Sequence, residues 1–400
     1  MRVLLTFCDT GGGHRAAATA LRDALTGLVP DVSCTMADPY AASGRWPFAR
    51  LGGAYPHVVN DAAWLWRSGF RLTDSRAATL VCQSLAWPVL APSFRALTHE
   101  PSPDVIVTTH PLLTWPLRRV FPSHPIAVVV TDLVSGHASW YDPRATLTIV
   151  PTEAARTRAI ACGVRTERLA VHGLPVAPTF ASDAAASRAV ASTLGWSATR
   201  PTVLLVGGGD GVGPIEEIAE AIDRALLPCD LAVVTGRNAA LAARLQARPW
   251  RGRVHVYGFV STLPAMMAAS ACVLTKAGPG TISEACAAGV PLVLWGAIPG
   301  QEDGNVQWVV EAGAGVWAPT PGAVAAAVRE WTAGAAAHAL RSRAADAARA
   351  LGRPHAAREI AVRILALADA HQASVAAARR VTAHEPRPQQ ELTFDAVQGD

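Results

Sequence analysis

The sequence predicts an α/β protein built from two doubly wound, parallel-sheet domains that face each other across a deep cleft. Three observations predict it. Short β-branched apolar runs alternate with alanine-rich helical stretches, the order that builds parallel sheets. The chain has 400 residues, half of them apolar, which is too much for one ordinary core and suits two. Three glycine-rich turns each follow a predicted strand and open a helix, at the strand ends where open α/β sheets bind ligands.

In the first half the predicted strands are Val3–Phe7, Val105–Thr108, Ala127–Val130 and Thr148–Val150, with a longer insertion at about residues 40–100. The turn Gly173-Leu174-Pro175-Val176-Ala177-Pro178 punctuates a strand end and marks the boundary between domains 1–175 and 176–370. In the second half the strands are Thr202–Val206, Leu231–Thr235, Val254–Tyr257, Cys272–Thr275 and Leu292–Trp295, separated by helical segments such as Pro214–Leu227 and Asn238–Gln246. From His371 the apolar periodicity gives way to proline, glutamine and charge, so residues 371–400 read as a disordered tail.

Composition narrows the function. A formal charge of +4 is small for this length and does not point to nucleic acid. The seven scattered cysteines include no CxxC pair and no zinc spacing, which reads as reduced thiols in a cytosolic protein. The N-terminus is interrupted too soon to read as a signal peptide. The uncharged stretch 77–94 contains two prolines and fits an interfacial or buried segment better than a membrane span. Lys276 is the only lysine beside 34 arginines, and a position that stayed lysine points to a need for a compact ammonium, with chance as the alternative.

The three turns are Asp9-Thr10-Gly11-Gly12-Gly13-His14, Gly207-Gly208-Gly209-Asp210-Gly211-Val212-Gly213-Pro214 and Lys276-Ala277-Gly278-Pro279-Gly280-Thr281. Glycine lets backbone amides approach an anion, and the helix N-terminus adds unpaired N–H groups. None matches the GxxxxGK[ST] phosphate loop, and the first lacks a dinucleotide fingerprint. One such turn alone is as well explained by tight-turn geometry; three at equivalent places point to a diphosphate.

The third turn with Glu284, and Pro299-Gly300-Gln301-Glu302-Asp303-Gly304-Asn305 after it, resemble the monogalactosyldiacylglycerol synthase and processive diacylglycerol glucosyltransferase family. That family is related to the peptidoglycan enzyme that adds N-acetylglucosamine to a lipid-linked precursor. Thr10 to His14, His110-Pro111-Leu112, Val130 to Leu133 with His137 and Trp140, Gly173 to Val176, Gly207 to Pro214, Thr235-Gly236-Arg237-Asn238 and Gly258-Phe259 follow in the family's order, over residues 1 to about 370. Between His137 and Trp140 the family carries proline and threonine, whereas this chain carries Ala138 and Ser139.

The resemblance implies a GT-B fold of two Rossmann-like domains, as in glycosyltransferase family 28. It also implies a UDP-hexose donor, inversion at the anomeric carbon, and neither cofactor nor obligatory metal. It places Glu284 on the ribose hydroxyls, the backbone of Phe259 and Val260 on the uracil, and Gly208, Gly209 and Gly280 on the diphosphate. Gln301, Glu302 and Asn305 then face the donor sugar. Gly12, Gly13, Arg237, Lys276, Gly278 and Thr281 complete the donor-binding candidates.

The residues alone agree with that chemistry. A carboxylate one helical turn beyond a phosphate-binding turn can accept two hydroxyls, and helix N-termini with Lys276 can stabilise a leaving diphosphate. Inverting transfer needs one general base. His14 is the first candidate, because its helix N-terminus disfavours the imidazolium; Asp132 and His137 remain alternatives.

Residues 40–98 interleave Trp46, Phe48, Tyr55, Trp64, Trp66, Phe70, Trp87 and Phe94 with six arginines and two aspartates, a local charge of +4. That suits an anionic membrane surface at the inner face of the cell membrane, and equally an ordinary helical insertion. The acceptor implied is a lipid hydroxyl, most closely that of diacylglycerol. The rivals are a polyprenyl-linked or soluble acceptor, a UDP-sugar epimerase, and a binding protein without turnover.

Overall fold

The computed structural model describes residues 1–10, 12–45, 48, 63–181 and 184–383. Its described strands form two six-stranded sheets, each parallel throughout. The first contains β1 (Arg2–Thr6), β2 (Ser33–Ala37), β3 (Val105–Thr108), β4 (Ile126–Val129), β5 (Leu147–Val150) and β6 (Leu169–Val171), in the order β2-β1-β3-β4-β5-β6. The second contains β7 (Thr202–Val206), β8 (Asp230–Val234), β9 (Val254–Tyr257), β10 (Cys272–Lys276), β11 (Leu292–Gly296) and β12 (Gly315–Trp317), in the order β12-β11-β10-β7-β8-β9.

The central strands are continuous runs of buried Val, Leu and Ile because helices cover both faces of a parallel sheet. The predicted strands lie where expected, shifted by a residue at β4, β8 and others. Three strands absent from the sequence reading, β2, β6 and β12, are all edges. β6 and β12 have only three residues each, and β2 mixes Ser33 and Thr35 with its apolar positions, so none carries a long apolar run.

The domain limits differ from expectation at the C-terminus. The second domain's own elements end with the helix Ala337–Leu351 rather than at residue 370. The chain then crosses back, and the helix Ala356–Ala383 lies along the helix Gly13–Leu28. Ile360, Ala361, Ile364 and Ala368 join the core formed by Val3, Leu5, Val105 and Ala127. Residues 371–383 continue that helix and are not a disordered tail, because the helix is anchored by this apolar face; residues 384–400 lie outside the described residues.

The insertion divides between core and surface. Phe94 is fully buried, and Trp87 packs against it with a ring separation of 6.1 Å. The stretch 77–94 falls in the helix Arg76–Ala96, which buries Leu90, Ala91 and Phe94 while exposing Val81 and Leu85. Helix Ala63–Thr73 exposes Trp64, Leu65 and Leu72 on one face, flanked by exposed Arg67 and Arg71. Trp46, Arg50, Tyr55 and Asp61 lie outside the described residues.

Ile364→Ala removes a buried side chain from the returning helix. It is expected to destabilise the protein by about 2–5 kcal/mol in urea denaturation. A loss of a few tenths would show that the helix does not complete the first core.

Candidate active site

Parallel pairing delivers the loops after β1, β3 and β4 to one edge of the first sheet, and those after β7, β8, β10 and β11 to one edge of the second. The helix Gly13–Leu28 packs against the helix Pro279–Ala287, so the two edges meet. The approach is closest at Gly304. A Cβ there would lie 2.5 Å from Ser135 Oγ and 2.8 Å from Val134 Cγ1.

His14 is the second residue of its helix, after Gly12 in the left-handed conformation at φ 79°. Its Nδ1–H donates to the Thr109 carbonyl at 2.6 Å, and the Thr131 hydroxyl oxygen lies 3.0 Å from the same nitrogen. A carbonyl only accepts, so the neutral ring carries its proton on Nδ1 and its lone pair on Nε2. The His110 ring stands edge-on at 4.7 Å and Trp140 lies at 5.9 Å. Burial lowers the His14 pKa to about 4, outweighing the Thr109 bond and the charge of Asp9. The expected direction is therefore present, with burial as its leading cause. His110 is lowered further by burial and by His14.

Asp132 follows β4 and is only 6% exposed. Its Oδ2 accepts from Trp140 Nε1 at 2.6 Å, and its Oδ1 faces Gln301 Nε2 of the other domain at 3.4 Å. Burial raises its pKa to about 6, against the lowering effect of those two bonds. His137 caps the one-turn helix Ala138–Trp140: Nδ1 accepts from the Ser139 backbone N–H at 3.2 Å and lies 2.8 Å from Ser139 Oγ. Its Nε2 lies 3.3 Å from Thr73 Oγ1 and the ring stands 4.9 Å from Phe70, so both ring nitrogens are engaged in joining this loop to the insertion.

In the second domain, Glu284 is half-buried on the helix Pro279–Ala287. Its carboxyl makes no hydrogen bond among the described residues, and burial alone raises its pKa to about 7. Gly278 caps that helix, and Gly280 has open space where a side chain would stand. Thr281 is half-buried on the next turn. The loops of Gly208, Gly209 and Arg237 interlock: Arg237 N–H donates to Gly209 O at 2.9 Å, and its guanidinium pairs with Asp210 at 2.7 Å. Gly236, at φ 58°, sits against the carbonyl oxygens of Gly208 and Gly209, where any Cβ would collide. Phe259 is 71% exposed at the end of the β9 loop, while Val260 packs on the core.

Glu302 and Asn305 are each 2% exposed and engaged within their own domain. Glu302 Oε1 pairs with Lys276 Nζ at 2.5 Å, and its Oε2 accepts from Ile298 N at 2.9 Å. Asn305 Nδ2 donates to Ala277 O at 3.0 Å. Both brace the Lys276–Gly278 turn, where the β10–β11 register shifts. The Lys276 side chain stays 37% exposed beside that turn. The bracing by Thr109 and Thr131 escaped the sequence reading, because a backbone carbonyl and a threonine hydroxyl leave no motif.

Residues 14–176 match the family model of monogalactosyldiacylglycerol synthase, and residues 202–346 match the C-terminal domain of glycosyltransferase family 28. Similar proteins include the probable monogalactosyldiacylglycerol synthase 2, chloroplastic, of Oryza sativa subsp. japonica, 35% identical over 82% of this chain and 73% of its own length. Monogalactosyldiacylglycerol synthase 2, chloroplastic, of Arabidopsis thaliana is 33% identical over 90% of this chain and 79% of its own. The chain belongs to the monogalactosyldiacylglycerol synthase family. It spans 64% of the length of the Nicotiana tabacum relative, a probable chloroplastic synthase.

Among solved structures, the match to the Acinetobacter baumannii MurG covers 91% of this chain and 99% of its own, with a TM-score of 0.58 at 14% identity. The S. aureus MnaA–UDP co-structure covers 90% of this chain and 95% of its own, with a TM-score of 0.59 at 15% identity. These likenesses establish the GT-B fold.

Gly304→Ala tests the seam between the domains. Helix propensity alone would stabilise by about 0.8–1 kcal/mol. The collision with Val134 and Ser135 is expected to turn that gain into a loss of about 1–3 kcal/mol in urea denaturation. A net gain would mean the domains part freely.

Proposed function

We propose that this protein is an inverting glycosyltransferase that moves a hexose from a UDP-sugar to a lipid hydroxyl, most closely that of diacylglycerol. One juxtaposition carries the reading. A histidine with an uncommitted Nε2 and a half-buried carboxyl without a partner stand on two helices, from different domains, that pack together.

Glu284 accepts the ribose hydroxyls. Gly208, Gly209, Gly278, Gly280 and Thr281 line the diphosphate, with Gly12 and Gly13 opposite and Arg237 and Lys276 at its flanks. Phe259 and Val260 meet the uracil. Gln301 faces the sugar, and Glu302 and Asn305 act from behind by holding the Lys276 turn. The acceptor oxygen attacks the anomeric carbon from the face opposite the diphosphate. His14 Nε2 takes the hydroxyl proton as the bond to the β-phosphate oxygen breaks, and UDP leaves with its charge on the helix N-termini. The configuration inverts because a single displacement occurs.

The exposed Trp64, Leu65 and Leu72, with Arg67 and Arg71 beside them, support contact with an anionic membrane, consistent with a lipid acceptor. The inner face of the cell membrane is the location this reading assigns. A putative UDP-N-acetylglucosamine 2-epimerase from Listeria monocytogenes has the same fold at a TM-score of 0.56, so the fold alone does not choose between transfer and epimerisation. The deciding test supplies UDP-glucose, UDP-galactose or UDP-N-acetylglucosamine with liposomes, with and without diacylglycerol, and reads the lipids by mass spectrometry. A diacylglycerol that gains one hexose supports the proposal. A free epimer, or UDP binding without a lipid product, overturns it.

Donor binding should also depend on pH through Glu284. The carboxyl must be ionised to accept two hydroxyls, and its raised pKa of about 7 leaves it partly protonated at neutrality. UDP-hexose affinity is therefore expected to fall as pH drops through 7, approaching about tenfold per unit. Calorimetry from pH 5.5 to 8 checks this, and Glu284→Gln should flatten the profile. An unchanged slope in that variant removes Glu284 from the ribose.

A further inference from the structure

We propose that Asp132 is a positioning residue for His14, acting through the indole of Trp140, and does not itself take the acceptor proton. The proposal rests on His14 being the base. Three observations lead to it. First, both carboxylate oxygens of Asp132 are directed at other groups: Oδ2 holds Trp140 Nε1 at 2.6 Å, and Oδ1 is turned to Gln301 across the cleft. At 6% exposure, with each oxygen already turned to another group, this carboxylate is less accessible to an incoming hydroxyl than Nε2 of half-buried His14.

Second, Trp140 is completely buried, and its only polar atom is the N–H that Asp132 accepts. A buried indole without an acceptor costs about 1–3 kcal/mol, so Asp132 fixes the orientation of the ring. Third, that ring stands against His14, tilted 47° at 5.9 Å, while His110 stands edge-on at 4.7 Å. The imidazole is thus walled by Trp140 and His110 and tied at Nδ1 to Thr109 and Thr131. No carboxylate is hydrogen-bonded to His14 among the described residues. The acid that orients a catalytic histidine directly in other enzymes here works one residue removed, through an aromatic wall.

The test compares Asp132→Ala, which removes the acceptor for the indole, with Trp140→Phe, the double variant and His14→Ala. It measures kcat and donor KM, together with the pKa and tautomer of the His14 ring by ¹⁵N-resolved NMR of the imidazoles. The His14 signal is assigned by its loss in His14→Ala. Each single variant is expected to lower kcat about ten- to hundredfold with donor KM within about threefold, and the double to be no slower than the slower single. The His14 pKa should move up toward the ordinary histidine value in both as the wall loosens.

The proposal is overturned if Asp132→Ala is as inactive as His14→Ala while the His14 resonances stay in place, since Asp132 is then the base. It is also overturned if Asp132→Ala matches the wild type in rate and in the His14 signal. A wild-type rate in His14→Ala sinks the base assignment itself. The NMR comparison still reports, with no substrate present, whether Asp132 holds the ring.

Discussion

Because every strand pairs parallel, each sheet can release its connecting loops into ligand space at only one edge. That constraint organises the rest of the molecule. Two such edges are brought face to face, and the helices that begin there point their N-termini into the seam between them. A seam of this kind is short of negative charge. The fold therefore prepares a place for an anion before any charged side chain is counted. The returning helix Ala356–Ala383 serves the same arrangement: by packing in the first core after crossing from the second domain, it ties the chain across the seam a second time.

Side-chain cations add less to that place than their number implies. Arg237 is paired with Asp210, and Lys276 with buried Glu302. The exposed Arg237–Asp210 pair is worth about 0–1 kcal/mol and can be exchanged for a better partner. The Lys276 pair is different, because Glu302 is sealed at 2% exposure with its second oxygen on the Ile298 amide. Lys276 is thus held in place from behind, with its ammonium at the edge of the Gly278 turn. A Cβ on Gly278 would lie 3.2 Å from Nζ, so the ammonium lies close against the glycine of that turn. The one lysine in the sequence therefore stands at this turn, paired with a buried glutamate.

The central strands were legible in the sequence because burial on both faces leaves an unbroken apolar run. The edges β2, β6 and β12 were not, since β6 and β12 are three residues long and β2 is broken by Ser33 and Thr35. The glycine turns were legible because their backbones demand glycine: Gly236 lies against two carbonyls, and Gly12 takes a left-handed conformation. The contacts of Glu302 with Lys276 and of Asn305 with the Ala277 carbonyl were not legible, because a motif gives the order of residues and not their partners. The returning helix was invisible for a similar reason: its apolar face says that it is buried, but not against which sheet.

The titrating groups of the cleft share one bias. Burial lowers His14 to about 4 and raises Asp132 to about 6 and Glu284 to about 7, so each is pushed toward its neutral form. Near neutral pH His14 is therefore neutral and Glu284 partly protonated, while Asp132 remains mostly ionised. In the proposed reaction, Glu284 gives up its remaining proton to hold the ribose. In that reaction the diphosphate of the donor favours a proton on His14, which is the proton a base must receive. A base with so low a pKa in the empty protein is weak, and the negative charge of the donor strengthens it. On that reading the low basicity imposed by burial and the charge of the donor act on His14 in opposite directions.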